Sequence, residues 1–199
     1  MRIYFLIGQS NTGKDTISAA LLENNPSLNR YVYNTTRPMR NSEVDGVTYN
    51  FVTKEQFEED QKEGKVVESR LYHSEMGDVY YYTPVLPSSD KSYIITGTVD
   101  MCKSCVDYYG EKTVVPVFIE VDDRTRLMRG IAREDKNSQN YKEVARRFYD
   151  EFLEYNEENL NSVPNLHRID NNRELSLCVK DIEDLMESLE KEEDREMEM

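Results

Sequence analysis

The stretch IYFLIGQSNTGKDT, Ile3–Thr16, decides the fold. Its first five residues, Ile3–Ile7, are all apolar, and the run stops at Gly8. A short continuous apolar run bounded by glycine fits a strand buried on both faces, as in a parallel sheet. Gly8, Gly13 and Lys14 then keep the spacing G-x-x-x-x-G-K, and "TISAALLE", Thr16–Glu23, has helical spacing. Strand, loop and helix in that order is the context in which this motif cradles a polyphosphate. The glycines let loop N–H groups, those of Asn11 and Thr12 among them, point inward. The helix N-terminus adds partial positive charge, and Lys14 reaches the outer phosphates. A chance glycine turn is the plain alternative, and the two flanking elements argue against it. After the lysine, where a Ser or Thr hydroxyl usually ligates Mg²⁺, stands Asp15, with Thr16 next. Either side chain can serve the metal.

The remaining chain alternates apolar runs with helical patterns. "SYIITGTV" and "KTVVPVFIEV" read as buried strands, and "LHRID" as a last one. "TKEQFEEDQKEG" reads as a helix capped by Thr53 and stopped at Gly64. "VDMCKSCVDYYG", "DRTRLMRGIAR", "YKEVARRFYDEFLEYNEEN" and "NRELSLCVKDIEDLMESLEK" are further helices. The expectation is an α/β fold: a parallel sheet with helices on both faces, carrying a small inserted β-rich subdomain and a helical lid. The core is expected at about 1–31, 84–122 and 148–190, the insert at about 32–83, the lid at about 123–147, and an acidic tail from about 190 to 199.

Composition narrows the function. The chain has 199 residues and a formal charge of −14, so its surface repels nucleic-acid backbones and anionic membranes, and an anionic ligand needs a locally basic pocket. No apolar run approaches a membrane span and no secretory pattern follows Arg2, so a cytoplasmic location is expected. Cys102 and Cys105 form a C-x-x-C. Zinc would need two more ligands, and Cys178, His73 and His167 lack paired spacing, so the motif reads as coincidental. The fourteen tyrosines read mostly as packing residues rather than base-stacking ones.

Beyond the loop lies TTRPMRNSEVDGVTYNFVTKEQFEE, Thr35–Glu59. Arg37 and Arg40 are two guanidinium forks three residues apart, suited to a terminal monophosphate, and Tyr49 can donate to the same group. Surface solubility is the bland reading of these arginines. "RTRLMRGIAR" sets Arg126, Arg129 and Arg133 on one helical face, where like charges repel unless an anion meets them.

The T-T-R-x-x-R…E-V-D-G…Y-x-F-V block resembles the guanylate kinase family, and the resemblance extends over nearly the whole chain. It implies ATP and Mg²⁺ as cofactors and GMP as acceptor, with Arg37, Arg40, Tyr49 and Tyr80 at the acceptor phosphate and Glu43 as the matching loop acid. It implies that Glu68 reads guanine, since one carboxylate can accept from both N1–H and the 2-amino group. A guanine-side hydroxyl is left to Tyr82 or Thr83, and Asp100 matches an acid near metal and nucleotide. Arg129, Arg133 and Arg147 are implied as a lid over the ATP phosphates, and Asp170 or Asn171 as the group that meets adenine. Departures cluster at the base pocket: "YVYN" precedes T-T-R, residues 73–76 are extra, Tyr80-Tyr81-Tyr82-Thr83 replaces Y-G-[ST], and Thr98-Val99-Asp100 replaces D-[IV]-D. The segment between Arg133 and Arg147 is also longer than the family pattern. A kinase for another monophosphate, or a non-catalytic binding module of the same fold, are the competing expectations.

Overall fold

The computed structural model describes residues 1–40, 43–74, 77–87, 91–136 and 139–197. A five-stranded parallel sheet forms the core, in the order β2 (Leu28–Arg30), β7 (Ser92–Gly97), β1 (Ile3–Ile7), β8 (Val114–Glu120), β9 (His167–Asp170). The apolar run of β1 is divided by the two-residue period of a strand. Ile3, Phe5 and Ile7 pack with Val99, Cys102, Cys105 and Val106 of α3 (Val99–Tyr109) and with Leu160 of α6 (Glu157–Asn161). Tyr4 and Leu6 pack with Ile17 and Leu21 of α1 (Lys14–Asn24) and with Cys178, Val179 and Ile182 of α7 (Leu175–Met197). An unbroken apolar run is needed because both faces are covered.

The second sheet is mixed, in the order β4 (Asn50–Phe51), β3 (Asn34–Thr35), β6 (Gly77–Pro84), β5 (Val66–Ser74). It carries α2 (Lys54–Lys62), which Thr53 caps by accepting from the Gln56 N–H. Phe57 of α2 stacks on Tyr80 and packs against Tyr82, which fixes the helix to the sheet. β5 runs from Val66 as far as Ser74 because it forms a long hairpin with β6. Part of the expected insertion at 73–76 lies outside the described residues.

The segment expected as a lid, about 123–147, holds α4 (Asp123–Lys136) and the first half of α5 (Tyr141–Glu154). Asp122 caps α4 through the Thr125 N–H. The stretch expected as an acidic tail, from about residue 190, continues α7 to Met197. No described helix is long and apolar enough to cross a membrane. Among the described residues no cluster of metal-ligating side chains surrounds the C-x-x-C. Both thiols are buried in the core, and burial pushes Cys105 up to about 12, which leaves it inert.

Candidate functional site

The glycine loop joins the carboxyl end of β1 to α1. Gly8, Asn11 and Gly13 have φ of 154°, 66° and 93°. At Gly8 a side chain is also barred sterically, since a Cβ would come within 2.9 Å of the Ile119 carbonyl oxygen. Gly13 precedes α1 and offers no side-chain cap, so the first-turn N–H groups stay open to an anion. Lys14 is mostly buried and turns its Nζ onto the carbonyl oxygens of Gly8 and Gln9, the latter at 2.9 Å. Burial lowers its pKa, opposed by the carboxylates of Asp15, Glu151 and Glu154. An incoming polyphosphate would relieve that strain on the charged form.

The loop is held from outside. Thr12 is fully buried, and its hydroxyl donates to Gln9 O. Asn171, one of the two residues implied at adenine, lies against the loop. It is 4% exposed, and its Nδ2 donates to Thr12 O at 2.8 Å. Its own carbonyl accepts from Arg129 at 3.2 Å. The other candidate, Asp170, is exposed and accepts from Asn172. The reason lies in β9: its register on β8 brings the residue after the strand under the loop, with Asn171 N–H on Glu120 O. Glu151 takes both the N–H and the hydroxyl of Ser10 and also accepts from Arg126. Arg126 is thus committed: it is 1% exposed, paired with Glu151 and Asp123, and lies over the Phe148 ring.

Arg133 and Arg147 line a cavity of about 180 Å³ together with Ser10 and Asn11 of the loop. Arg129 reaches Asn11 O at 3.4 Å. Arg147 pairs with Glu143 on its own helix and remains half exposed. Arg133 has no ion-pair partner among the described residues.

A second and larger cavity, about 900 Å³, opens between the two sheets. Arg37, Arg40, Tyr49, Glu68, Arg70 and Tyr81 are among its walls. Arg37 is held almost completely. Four of its five N–H donors serve the protein: one meets the Tyr81 hydroxyl, one Pro38 O, and two the carboxylate of Glu43. Three rings, Tyr49, Phe51 and Tyr81, surround the guanidinium. Glu43 is in turn lowered to about 2, chiefly by Arg37 and then by the Arg40 N–H. Glu43 therefore orients Arg37, while the Arg40 side chain stands exposed at the cavity.

Glu68 and Thr83 face each other across β5 and β6, and Thr83 donates to Glu68 Oε1 at 2.7 Å. Tyr80 and Tyr82 sit elsewhere than expected. Alternation along β6 turns both rings to α2, where Tyr80 stacks on Phe57 and the Tyr82 hydroxyl donates to Asp60 at 2.6 Å. Tyr82 borders the cavity without offering its hydroxyl to it. The tyrosine that does face inward is Tyr81, one residue along. Asp100 is exposed in the first turn of α3, beside the cap residue Thr98.

Thr96 ties the larger cavity to the loop. It lines the larger cavity, and its hydroxyl donates to Asp15 Oδ1 at 3.4 Å, next to Lys14. Asp15 and Thr16 both stand exposed in the first turn of α1. One carboxylate and one hydroxyl, completed by phosphate oxygens and water, is a donor set that suits Mg²⁺.

Tyr81, Arg70, Thr96 and Glu151 have no motif to announce them. Tyr81 and Arg70 were legible only through period two: Arg70 lies two residues from Glu68, and Tyr81 two from Thr83. Thr96 and Glu151 owe their places to strand and helix packing, for which the sequence carries no local signal.

A parallel sheet feeding a glycine loop, with a mixed sheet over its carboxyl edge, defines an α/β protein of the phosphate-loop class. Within that class the chain belongs to the guanylate kinase family, whose profile matches residues 1–189. It is 32% identical to a guanylate kinase of Helicobacter hepaticus over 114 residues, 55% of each chain. It is 44% identical to that of Chlorobium luteolum over 71 residues, 36% of each. These matches span between 36% and 55% of the relatives' own length. The crystal structure of a guanylate kinase from Anaplasma phagocytophilum has the same fold, with a TM-score of 0.62 at 17% identity, covering 94% of this chain and 85% of that one.

Proposed function

We propose that the protein transfers the γ-phosphoryl group of Mg·ATP to GMP or dGMP. An anionic oxygen of the acceptor phosphate attacks the γ-phosphorus in line. The bond to the bridging oxygen breaks, ADP leaves and GDP forms. The acceptor oxygen is already charged, so alignment and charge neutralisation carry the step, with no strong general base. The observation that carries this reading is Thr96, which lines the cavity holding paired arginines and a carboxylate and bonds to Asp15, the neighbour of the loop lysine.

In this reading Lys14 and the loop N–H groups hold the donor phosphates, and Arg129, Arg133 and Arg147 close over them. Arg40 and the oriented Arg37 hold the acceptor phosphate with Tyr49 and Tyr81, while Glu68 with Thr83 reads the base. Asp15 and Thr16 would hold Mg²⁺, which would supply charge neutralisation at the donor phosphates. The residues at about 32–83 form the acceptor-binding part and those at about 123–147 the lid, and the protein works in the cytoplasm, where its nucleotides are.

A coupled ADP-release assay against a panel of nucleoside monophosphates tests this. Turnover with GMP, lost in Lys14→Met, is the expected result. Turnover only with another monophosphate moves the base assignment. Binding without turnover for every acceptor would make the chain a binding module.

A further inference from the structure

Arg70 belongs to no motif, yet it lines the larger cavity and reaches from it to the core sheet. It sits on β5 two residues from Glu68 and directly across from Tyr81, whose hydroxyl touches Arg37. From there its side chain crosses to the core sheet, where one Nη donates to Thr98 Oγ1 at 2.6 Å. Thr98 follows Gly97, and Gly97 is paired with Ile7, the residue before the phosphate loop. Its Nε stays 3.7 Å from Glu68 Oε2, too far for a hydrogen bond. On the donor side stands Glu154. Burial raises that carboxyl, and Arg70 is the strongest opposing charge, ahead of Lys14. Arg70 thus lies between the acceptor arginines and the loop lysine, a third exposed, with spare donors.

We propose that Arg70 is a further catalytic residue, whose guanidinium meets the phosphoryl group in transit rather than either ground-state nucleotide. The assignment rests on the proposed phosphoryl transfer. Two polyanions must come together there, and the cations at either end, Lys14 and the Arg37–Arg40 pair, are fixed to their own phosphates. A fork held by Thr98 on one side supplies planar donors where charge gathers only during transfer. Stabilisation confined to that moment appears in kcat and leaves KM nearly unchanged. The tether to Thr98 also makes the guanidinium's position follow closure of the mixed sheet on the core.

Arg70→Ala and Arg70→Lys, compared by steady-state kinetics, titration calorimetry and thermal melting, test the proposal. Arg70→Ala should lower kcat by about a hundredfold or more, with the Kd of GMP and of an ATP analogue each within about threefold. An adenosine–guanosine pentaphosphate, which spans both cavities, should lose at least tenfold in affinity. Arg70→Lys should recover part of kcat, and millimolar guanidinium should partly rescue Arg70→Ala, a response that a packing role would not give. Unchanged kcat and pentaphosphate affinity, or a loss equal to the loss in GMP affinity, would overturn the assignment. Absence of turnover in the unaltered chain would instead remove the proposed transfer itself.

Discussion

Asn171→Ala separates a loop-supporting side chain from a base-binding one. Asn171 lies 4% exposed, and its Nδ2 gives 2.8 Å to the carbonyl of Thr12, which is itself fully buried. Removing the donor leaves that carbonyl with neither protein partner nor water. An abandoned buried polar group costs about 1–3 kcal/mol. For a chain of this size each kcal/mol lowers Tm by roughly 2–4 °C, so Tm should fall by roughly 2–12 °C. ATP affinity should fall in parallel, because Thr12 belongs to the cradle. Asn171→Asp keeps the shape but sets an acceptor against an acceptor, and it should do at least as much harm. Urea denaturation with calorimetric titration of ATP reads both quantities. If Asn171→Asp keeps unaltered stability while only nucleotide affinity changes, the side chain meets the base, and the loop-support argument is wrong.

Gly97→Ala should destabilise by about 1–3 kcal/mol, the usual cost of overpacking. A Cβ there would stand 2.8 Å from both the Phe5 ring and the Tyr33 hydroxyl; a midpoint in urea equal to that of the unaltered chain would refute it. Glu43 should titrate near pH 2 rather than 4.5. A depressed carboxyl stabilises above its unfolded pKa, so the Arg37–Glu43 pair should be fully formed above pH 4.5 and lost as pH falls through about 2. A side-chain NMR midpoint above 4 would contradict the contact. Asp15→Ala should raise the Mg²⁺ concentration for half-maximal turnover by roughly ten- to a hundredfold, and an unchanged metal dependence would leave Thr16 as the sole protein ligand.

The loop, its strand and its helix were legible because each rests on local rules: an unbroken apolar run, glycines where φ is positive, and a helical period behind them. Arg37 and Glu43 stand in one dense block of motif, whereas Glu68 was marked only by the family resemblance. The tyrosines show the limit of such reading. Four consecutive residues, Tyr80 to Thr83, look equivalent in sequence, but the pleat sends two toward α2 and two toward the cavity, and pairing with β5 decides which. Asn171 likewise looks exposed beside charged neighbours, until the register of β9 on β8 buries it beneath the loop.

The sequence by itself determined the parallel core, the phosphate loop and the existence of a second basic site, since these follow from periods and spacings within short windows. Only the tertiary structure decided which side chains face that site and which support it. Arg37 is bound by Glu43, Arg126 is buried under Glu151, and Arg70 spans the two sheets. Those roles arise between residues far apart in the chain, where contact depends on strand register and helix packing rather than on any local pattern.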